Sequence, residues 1–245
     1  MNQILIGCDP ELFVYTDKGT PVSAHDLIPG TKVEPHEVDK GAVQVDGVAA
    51  EFNIVPAKTE DEFVRNIVRV EAQLLEILHK QNNKLVLRAT PTIKFTRRMW
   101  EAIPEDAKML GCEPDFNAYS MGRNPKPHTN KLMRTGSGHI HISWGQNPDE
   151  VKRPWMHHVG ELVYHLDHHL YPQSLKWDTD EERRELYGQE GAFRPKPYGV
   201  EYRVLSNKWV ETEKTMRYVY KTALACTTRW LEGYKPGMYE VPAYA

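Results

Sequence analysis

Apolar and polar residues alternate in short runs over the first part of this chain and settle into a helical period further along. ILIG (4–7) and ELFVY (11–15) read as short strands followed by the turn TDKGTP. AVQVDGVAAEFNIV (42–55) reads as a hairpin, two alternating runs joined at Asp46-Gly47. Phe63, Ile67, Val70, Leu74, Ile77 and Leu78 then recur at helical spacing behind Thr59, a good N-cap, with Asp61 and Glu62 in the first turn; the pattern ends near QNN. KLVLRATPTIKF (84–95) is a further strand candidate, and the basic, proline-containing stretch 122–134 reads as a mobile loop. In GSGHIHISWG (136–145) the two isoleucines take one face of a strand, and His139, His141 and Ser143 the other. Helices are expected from about 149 to 171 and from about 208 to 231, the second with Met216, Val219, Tyr220, Ala223, Leu224 and Trp230 on its apolar side. Between them FRPKPYGVEYRVLS ends as a strand. Strand pairs interrupted by long helices, without regular βαβ alternation, indicate an α+β fold with a mainly antiparallel sheet.

The chain has 245 residues, enough for one large domain or two small ones, with a sizeable core either way. A formal net charge of −3 gives no reason to expect nucleic acid or a lipid surface as the main partner. MNQILIGCDPELFV has no basic leader, and no segment approaches the roughly 20 apolar residues of a membrane span. Cys8, Cys112 and Cys226 are odd in number and far apart, which suits a reducing cytoplasm and argues against a zinc ribbon or a disulfide framework.

Four segments concentrate ionisable residues on strands: DPELF, VDGVAAEFN, GSGHIHIS and VEYRVLS. Asp9 and Glu11 are two apart, so an extended backbone aims both carboxylates one way. Glu51 stands between Ala50 and Phe52, and Glu201 shares a face with Arg203. Each taken singly has a plain structural reading: a turn before proline, a turn cap, an ion pair. Their recurrence against alternating apolar residues is the stronger observation, because burying such a face without metal or phosphate costs several kcal/mol per unpaired charge. Carboxylates with imidazoles suit a hard divalent ion, magnesium or manganese. Arg183, Arg184, Arg194 and Lys196 precede the Glu-x-Arg strand among Gly188, Gly191 and Gly199, and guanidinium forks bind phosphate oxygens; Arg134 is a further candidate.

WMHHVGELVYHLDHHLY holds five histidines, but its apolar stripe of Trp155, Val159, Leu162, Val163, Leu166 and Leu170 explains the helix without a metal. His158, His165 and His169 fall on one flank as packing residues, with His157 and His168 solvated. No P-loop, G-x-G-x-x-G fingerprint, nucleophile elbow or H-E-x-x-H motif is present.

GSGHIHIS resembles the glycine-rich His-x-His strand of glutamine synthetases, and VEYR resembles their late Glu-x-Arg strand. Across nearly the whole chain, GCDPELFV, VQVDGVAAEFNIVPA, RTGSGHIHISWG and GAFRPKPYGVEYRVLSNKW are similar, in order, to the signature blocks of phage-type carboxylate–amine ligases of the glutamine synthetase and glutamate–cysteine ligase superfamily. The first block carries Asp-Pro-Glu where glutamine synthetases carry Glu-x-Glu. The resemblance implies a single catalytic domain over 1–245, built on a curved antiparallel sheet with helices on its outer face, whose concave side holds ATP and Mg2+ or Mn2+. It implies Asp9, Glu11, Glu51, His139 and Glu201 as metal ligands, with Asp46 assisting. It implies His139, Ser143, Arg184, Arg194, Lys196 and Arg203 as nucleotide-binding groups, and Arg194, Arg203 and His141 as catalytic ones. The implied reaction is ATP-dependent amide formation between a small acid and an amine, amino acid or peptide-like, through an acyl phosphate, in the cytoplasm (a host's, if the chain is virus-encoded). The loop 122–134 is then the expected lid. A guanidino phosphotransferase and a metal-dependent amide hydrolase are the alternatives, and the arginine block favours a phosphate-bearing cofactor over the hydrolase. A non-catalytic binding protein would not need the whole set of acids. The acid, the amine and the oligomeric state are left open.

Overall fold

The computed structural model describes residues 3–108, 115–125 and 132–244; Cys112 and the centre of the expected lid, 126–131, lie outside them. The two expected opening strands are one. β1 (Leu5–Thr16) runs through Pro10, which has no N–H to give but sits opposite Gly138, where one partner strand begins and the ladder needs no further donor from it. After β2 (Pro21–Val22) and β3 (His36–Val38), the expected hairpin appears as β4 (Gly41–Asp46) and β5 (Ala49–Ile54), with Gly47 at φ 59° in the turn. Thr59 caps α1 (Glu60–Gln81), its hydroxyl accepting from the Glu62 N–H at 3.2 Å.

The run 84–95 divides at Pro91 into β6 (Leu85–Arg88) and β7 (Thr92–Lys94). Two short helices, α2 (Arg97–Ala102) and α3 (Glu105–Lys108), and the short strand β8 (Phe116–Asn117) follow. β9 (Met133–Thr135) pairs with β7, so the end of the expected loop is anchored strand. Next come β10 (Gly138–Ser143), α4 (Trp155–Ser174), α5 (Glu181–Leu186), β11 (Ala192–Lys196), β12 (Gly199–Tyr202) and α6 (Glu213–Leu231). Both long late helices start later than their periodicity suggests. Pro154 restricts the residue before it and delays α4; Thr212 accepts from the Thr215 N–H and so fixes the start of α6, after a 3-10 turn at Asn207–Glu211.

The main sheet runs β3-β4-β5-β1-β10-β12-β11-β8, with β2 and β6 paired to the far part of β1, and its pairings are antiparallel. The fold is α+β, with a largely open, mainly antiparallel sheet. One face carries Ile6, Cys8, Ala50, Phe52, Ile140, Ile142, Val200 and Tyr202, buried in one cluster with α1, α4 and α6. Residues of opposite parity on the same strands face away from these helices. At the far end of β1 that second face closes over Phe13 with a smaller apolar cluster, including Ile93, Phe95 and Ile103. Among the described residues, no helix is long and apolar enough to cross a membrane.

The histidine helix packs as its stripe requires. Val159, Leu162, Val163, Leu166 and Leu170 are buried, His157 and His168 are exposed, and buried His165 meets the Tyr239 hydroxyl at 2.6 Å through Nδ1.

β10 begins tightly packed. Trp209 donates its indole N–H to the Gly138 carbonyl at 2.9 Å, and a Cβ on Gly138 would stand 2.5 Å from that indole nitrogen and 2.8 Å from the Ser206 carbonyl oxygen. Gly138→Ala is expected to cost about 1–3 kcal/mol, read as a lower denaturation midpoint in urea; an unchanged midpoint would show that β10 has room to shift.

Candidate functional site

Antiparallel register, rather than any single motif, assembles the polar face. Asp9 lies opposite His139, His141 opposite Glu201, and Glu201 opposite Arg194. On the other side of β1, Glu11 lies opposite Glu51, which lies opposite Gln44. Directly opposed residues share a face, so six consecutive strands contribute to one polar surface.

The contacts sort into an acidic end and a basic end. At the acidic end Glu11 accepts from the Ser137 N–H at 2.9 Å, and Glu51 accepts from the Gln44 amide at 2.9 Å. Asp46 pairs with Lys32 at 2.6 Å. Asp9 bridges to the middle, with Oδ1 3.2 Å from His139 Nδ1 and Oδ2 3.1 Å from His141 Nε2. At the basic end Glu201, 1% exposed, receives Lys196 at 2.9 Å, Arg194 at 3.4 Å and Arg203 in closer contact. Arg203 also meets Asp115 at 2.5 Å and gives a hydrogen bond to the Tyr187 hydroxyl, which lies 3.4 Å from His139 Nε2. These groups surround a cavity of about 260 Å³ bordered by five carboxyl side chains and four cationic ones.

Burial governs the proton affinities. It pushes the Glu11 carboxyl up to about 8, helped by the negative charge of Asp46, and raises Glu51 well above its ordinary value, helped by Asp9, Asp46 and Glu11. Burial also acts to raise Asp9, but His141 and His139 outweigh it and hold that carboxyl low. His139 is pushed down to about 4, by burial first and by Arg203 second, so it is neutral at pH 7 and able to donate a lone pair.

Asp9, His141 and Glu201 each offer a ligand atom, and these atoms lie within 4.8 Å of one another. Asp9 Oδ1 and His141 Nε2 are buried and lack a well-directed hydrogen bond among the described residues, close as their neighbours are. Two oxygen donors and one imidazole, with the carboxyls of Glu11 and Glu51 on the same face, fit a hard divalent cation. The imidazole that joins this group is that of His141; His139 is engaged with Asp9, Glu201, Arg203 and Tyr187.

Of the residues singled out by sequence, Asp9, Glu11, Asp46, Glu51, His139, Arg194, Lys196, Glu201 and Arg203 border the 260 Å³ cavity. His141 and Ser143 border a second cavity that shares Asp9, Gln44 and Glu51 with the first. Arg183 is a correction. Its fork is buried and gives hydrogen bonds to the carbonyls of Gly136 (3.1 Å), Val204 (3.1 Å) and Leu205 (2.9 Å), which leaves no fork for phosphate. Arg184 borders neither cavity and binds the Asp178 carbonyl at 2.9 Å, while Arg134 stacks over Trp100 at 4.3 Å. The nearby glycines approach the protein itself, Gly188 against Arg183 and Gly199 against the Ile142 carbonyl. Asp115, Tyr187, Tyr198, Gln44 and Lys32 were not legible as site residues. Gln44 carried the one usable signal, its place on the same hairpin as Glu51 at alternating parity.

Compared with protein-family models and with curated protein sequences, the chain matches none.

The shifts give a signed pH dependence. Glu11 holds its proton in the folded chain up to about 8, whereas the unfolded chain releases it near 4.5, so its contribution to stability is complete below about 4.5 and lost as pH rises through 8. His139 acts in the other direction, losing stability as pH falls from 6.5 to 4. Between pH 6.5 and 8 the His139 effect is complete and the raised carboxyls of Glu11 and Glu51 act together. The thermal midpoint without metal should therefore fall across that window, Mg2+ should raise it more at pH 8 than at 6.5, and Glu11→Gln should lessen both slopes. Scanning calorimetry with and without MgCl2 checks this; a magnesium effect equal at both pH values would contradict metal binding by these acids.

Proposed function

We propose that this chain is an ATP-dependent carboxylate–amine ligase that forms an amide through an acyl phosphate, with the sheet acting as a catalytic domain of the glutamine synthetase type. The observation that carries the reading is the division of one buried sheet face into an acidic end and a basic end. Asp9, His141 and Glu201 would hold one divalent cation, with Glu11 and Glu51 available for another. Magnesium bound there would supply positive charge to offset that of the nucleotide phosphates.

The chain's own groups do the rest. Arg194, Lys196 and Arg203, which meet Glu201, would supply N–H donors to phosphate oxygens. Asp115 and Tyr187 both contact the Arg203 guanidinium, which would limit its reorientation when a ligand arrives. In the proposed reaction a substrate carboxylate oxygen attacks the γ-phosphorus and ADP leaves. The amine nitrogen then attacks the acyl carbon, phosphate leaves, and the amine gives up a proton. Walls that exclude water protect the acyl phosphate from hydrolysis.

ATP turnover with Mg2+ against a pool of acids, amines and peptides, following nucleotide products and new masses together, tests the reading. ADP and phosphate with a product one water lighter than its summed substrates is the expected result. Glu51→Gln and Arg203→Ala should each lower turnover roughly 100-fold or more. ADP with a phosphorylated product would make the protein a guanidino-type phosphotransferase, and new products without ATP use would make it a hydrolase.

A further inference from the structure

The second cavity, about 480 Å³, opens beside the ionic one and differs from it in chemistry. All four cationic side chains at the site border the ionic cavity; among the described residues, no lysine or arginine borders the larger one. Leu5, Ile54, Pro56 and the ring of Tyr198 supply apolar walls, Asn53, His141 and Ser143 add polar ones, and Asp9 and Glu51 stand at the inner end, where the two cavities adjoin. One N–H of the Gln44 amide is given to Glu51, and the Tyr198 hydroxyl is engaged with His141 Nδ1 at 2.5 Å. In the metal-free chain a ligand carboxylate placed against Asp9 and Glu51 would have the His141 imidazole but no lysine or arginine beside it, which is unfavourable in a partly buried site. A ligand nitrogen bearing N–H groups would meet carboxylate acceptors at the inner end while its carbon body covered the apolar walls.

We propose that this chamber binds the amine, and that it selects amines with an apolar body and no neighbouring carboxylate over free amino acids. Naming the occupant as the amine substrate rests on the ligase reading; the selectivity for charge and shape rests on the chamber alone. The residue that leaves room for such a body is Gly7. It lies on the polar face opposite His141, and a Cβ there would meet Pro56 at 3.5 Å and His141 at 3.8 Å, ordinary contact distances. A small side chain can therefore enter the chamber without disturbing the strand, and a branched one would fill part of the space.

Calorimetric titration of the full chain without ATP tests the chamber separately from the reaction. The probes are phenethylamine, phenylalanine (the same body with an α-carboxylate) and adenosine. Phenethylamine should bind, phenylalanine should bind about tenfold or more weakly, and the phenethylamine affinity should fall about tenfold in Gly7→Val and less in Gly7→Ala. An unchanged circular dichroism spectrum and thermal midpoint in Gly7→Ala would assign its graded loss to the cavity, even if Gly7→Val folds poorly. Tighter binding of phenylalanine would overturn the proposal, as would phenethylamine affinity indifferent to both Gly7 variants. Adenosine binding that the Gly7 variants abolish would make the chamber a nucleobase site instead. Because no nucleotide is present, failure of the ligase assay would leave these affinities standing; a working ligase whose amine carries its own carboxylate in this chamber would remove the proposal and keep the ligase.

Discussion

The pairing of Asp9 with the two histidines across β1 and β10 is the contact on which the remaining arrangement depends. Both imidazoles sit on one carboxylate, which keeps Asp9 ionised against its burial, while burial and Arg203 hold His139 neutral in spite of Asp9. A buried charge without such partners costs several kcal/mol, so the neighbouring strands must bring compensating groups or more protons. They bring both. Glu201 is met by three cationic side chains, whereas Glu11 and Glu51, with a backbone N–H and an amide as partners, are pushed toward the protonated form. The asymmetry between the two ends is thus a result of which strand lies next to which.

A layer of hydrogen bonds around the strand ends keeps that register fixed. Arg183 ties the Gly136 carbonyl before β10 to the Val204 and Leu205 carbonyls after β12. Asn207 gives its amide to the Glu11 and Thr90 carbonyls, and Trp209 gives its indole N–H to Gly138. A slip of one residue would turn every acid and histidine of a strand into the apolar cluster and every isoleucine outward, so these links and the helix-facing core enforce the same pairing. An arginine buried for this purpose is structural, although its sequence neighbourhood looks like a phosphate loop.

The two cavities divide the electrostatic work. The ionic cavity gathers the cationic side chains beside the acids, and the larger one offers apolar walls and acids without cations. Reactions that join a charged phosphate donor to an uncharged or cationic partner require such a separation, since each ligand would otherwise be held in an environment made for the other. Asp9, Gln44 and Glu51 are common to both cavities, so under the proposed ligase reading the two ligands would meet there.

The sequence by itself determined which residues face which way. Alternation at His139 to Ser143, at Glu201 to Arg203 and around Glu51 assigned polar and apolar faces that the fold keeps, and Thr59 and the 3.6-residue period placed the first helix, because side-chain direction and capping are local properties of the backbone. Only the tertiary structure decided that these faces adjoin: strand order is set by which apolar faces pack together, a long-range matter that no spacing encodes. The same holds for the partners sequence reading missed. Asp115, Tyr187 and Tyr198 are single residues in or beside loops, with no periodicity to betray them, and they reach the site because β8, α5 and the β11–β12 turn are brought to its rim. It also separated Arg183 from Arg203. Both are buried guanidinium groups, but one faces backbone carbonyls and the other carboxylates, and only the neighbours in space make one a staple and the other a site residue.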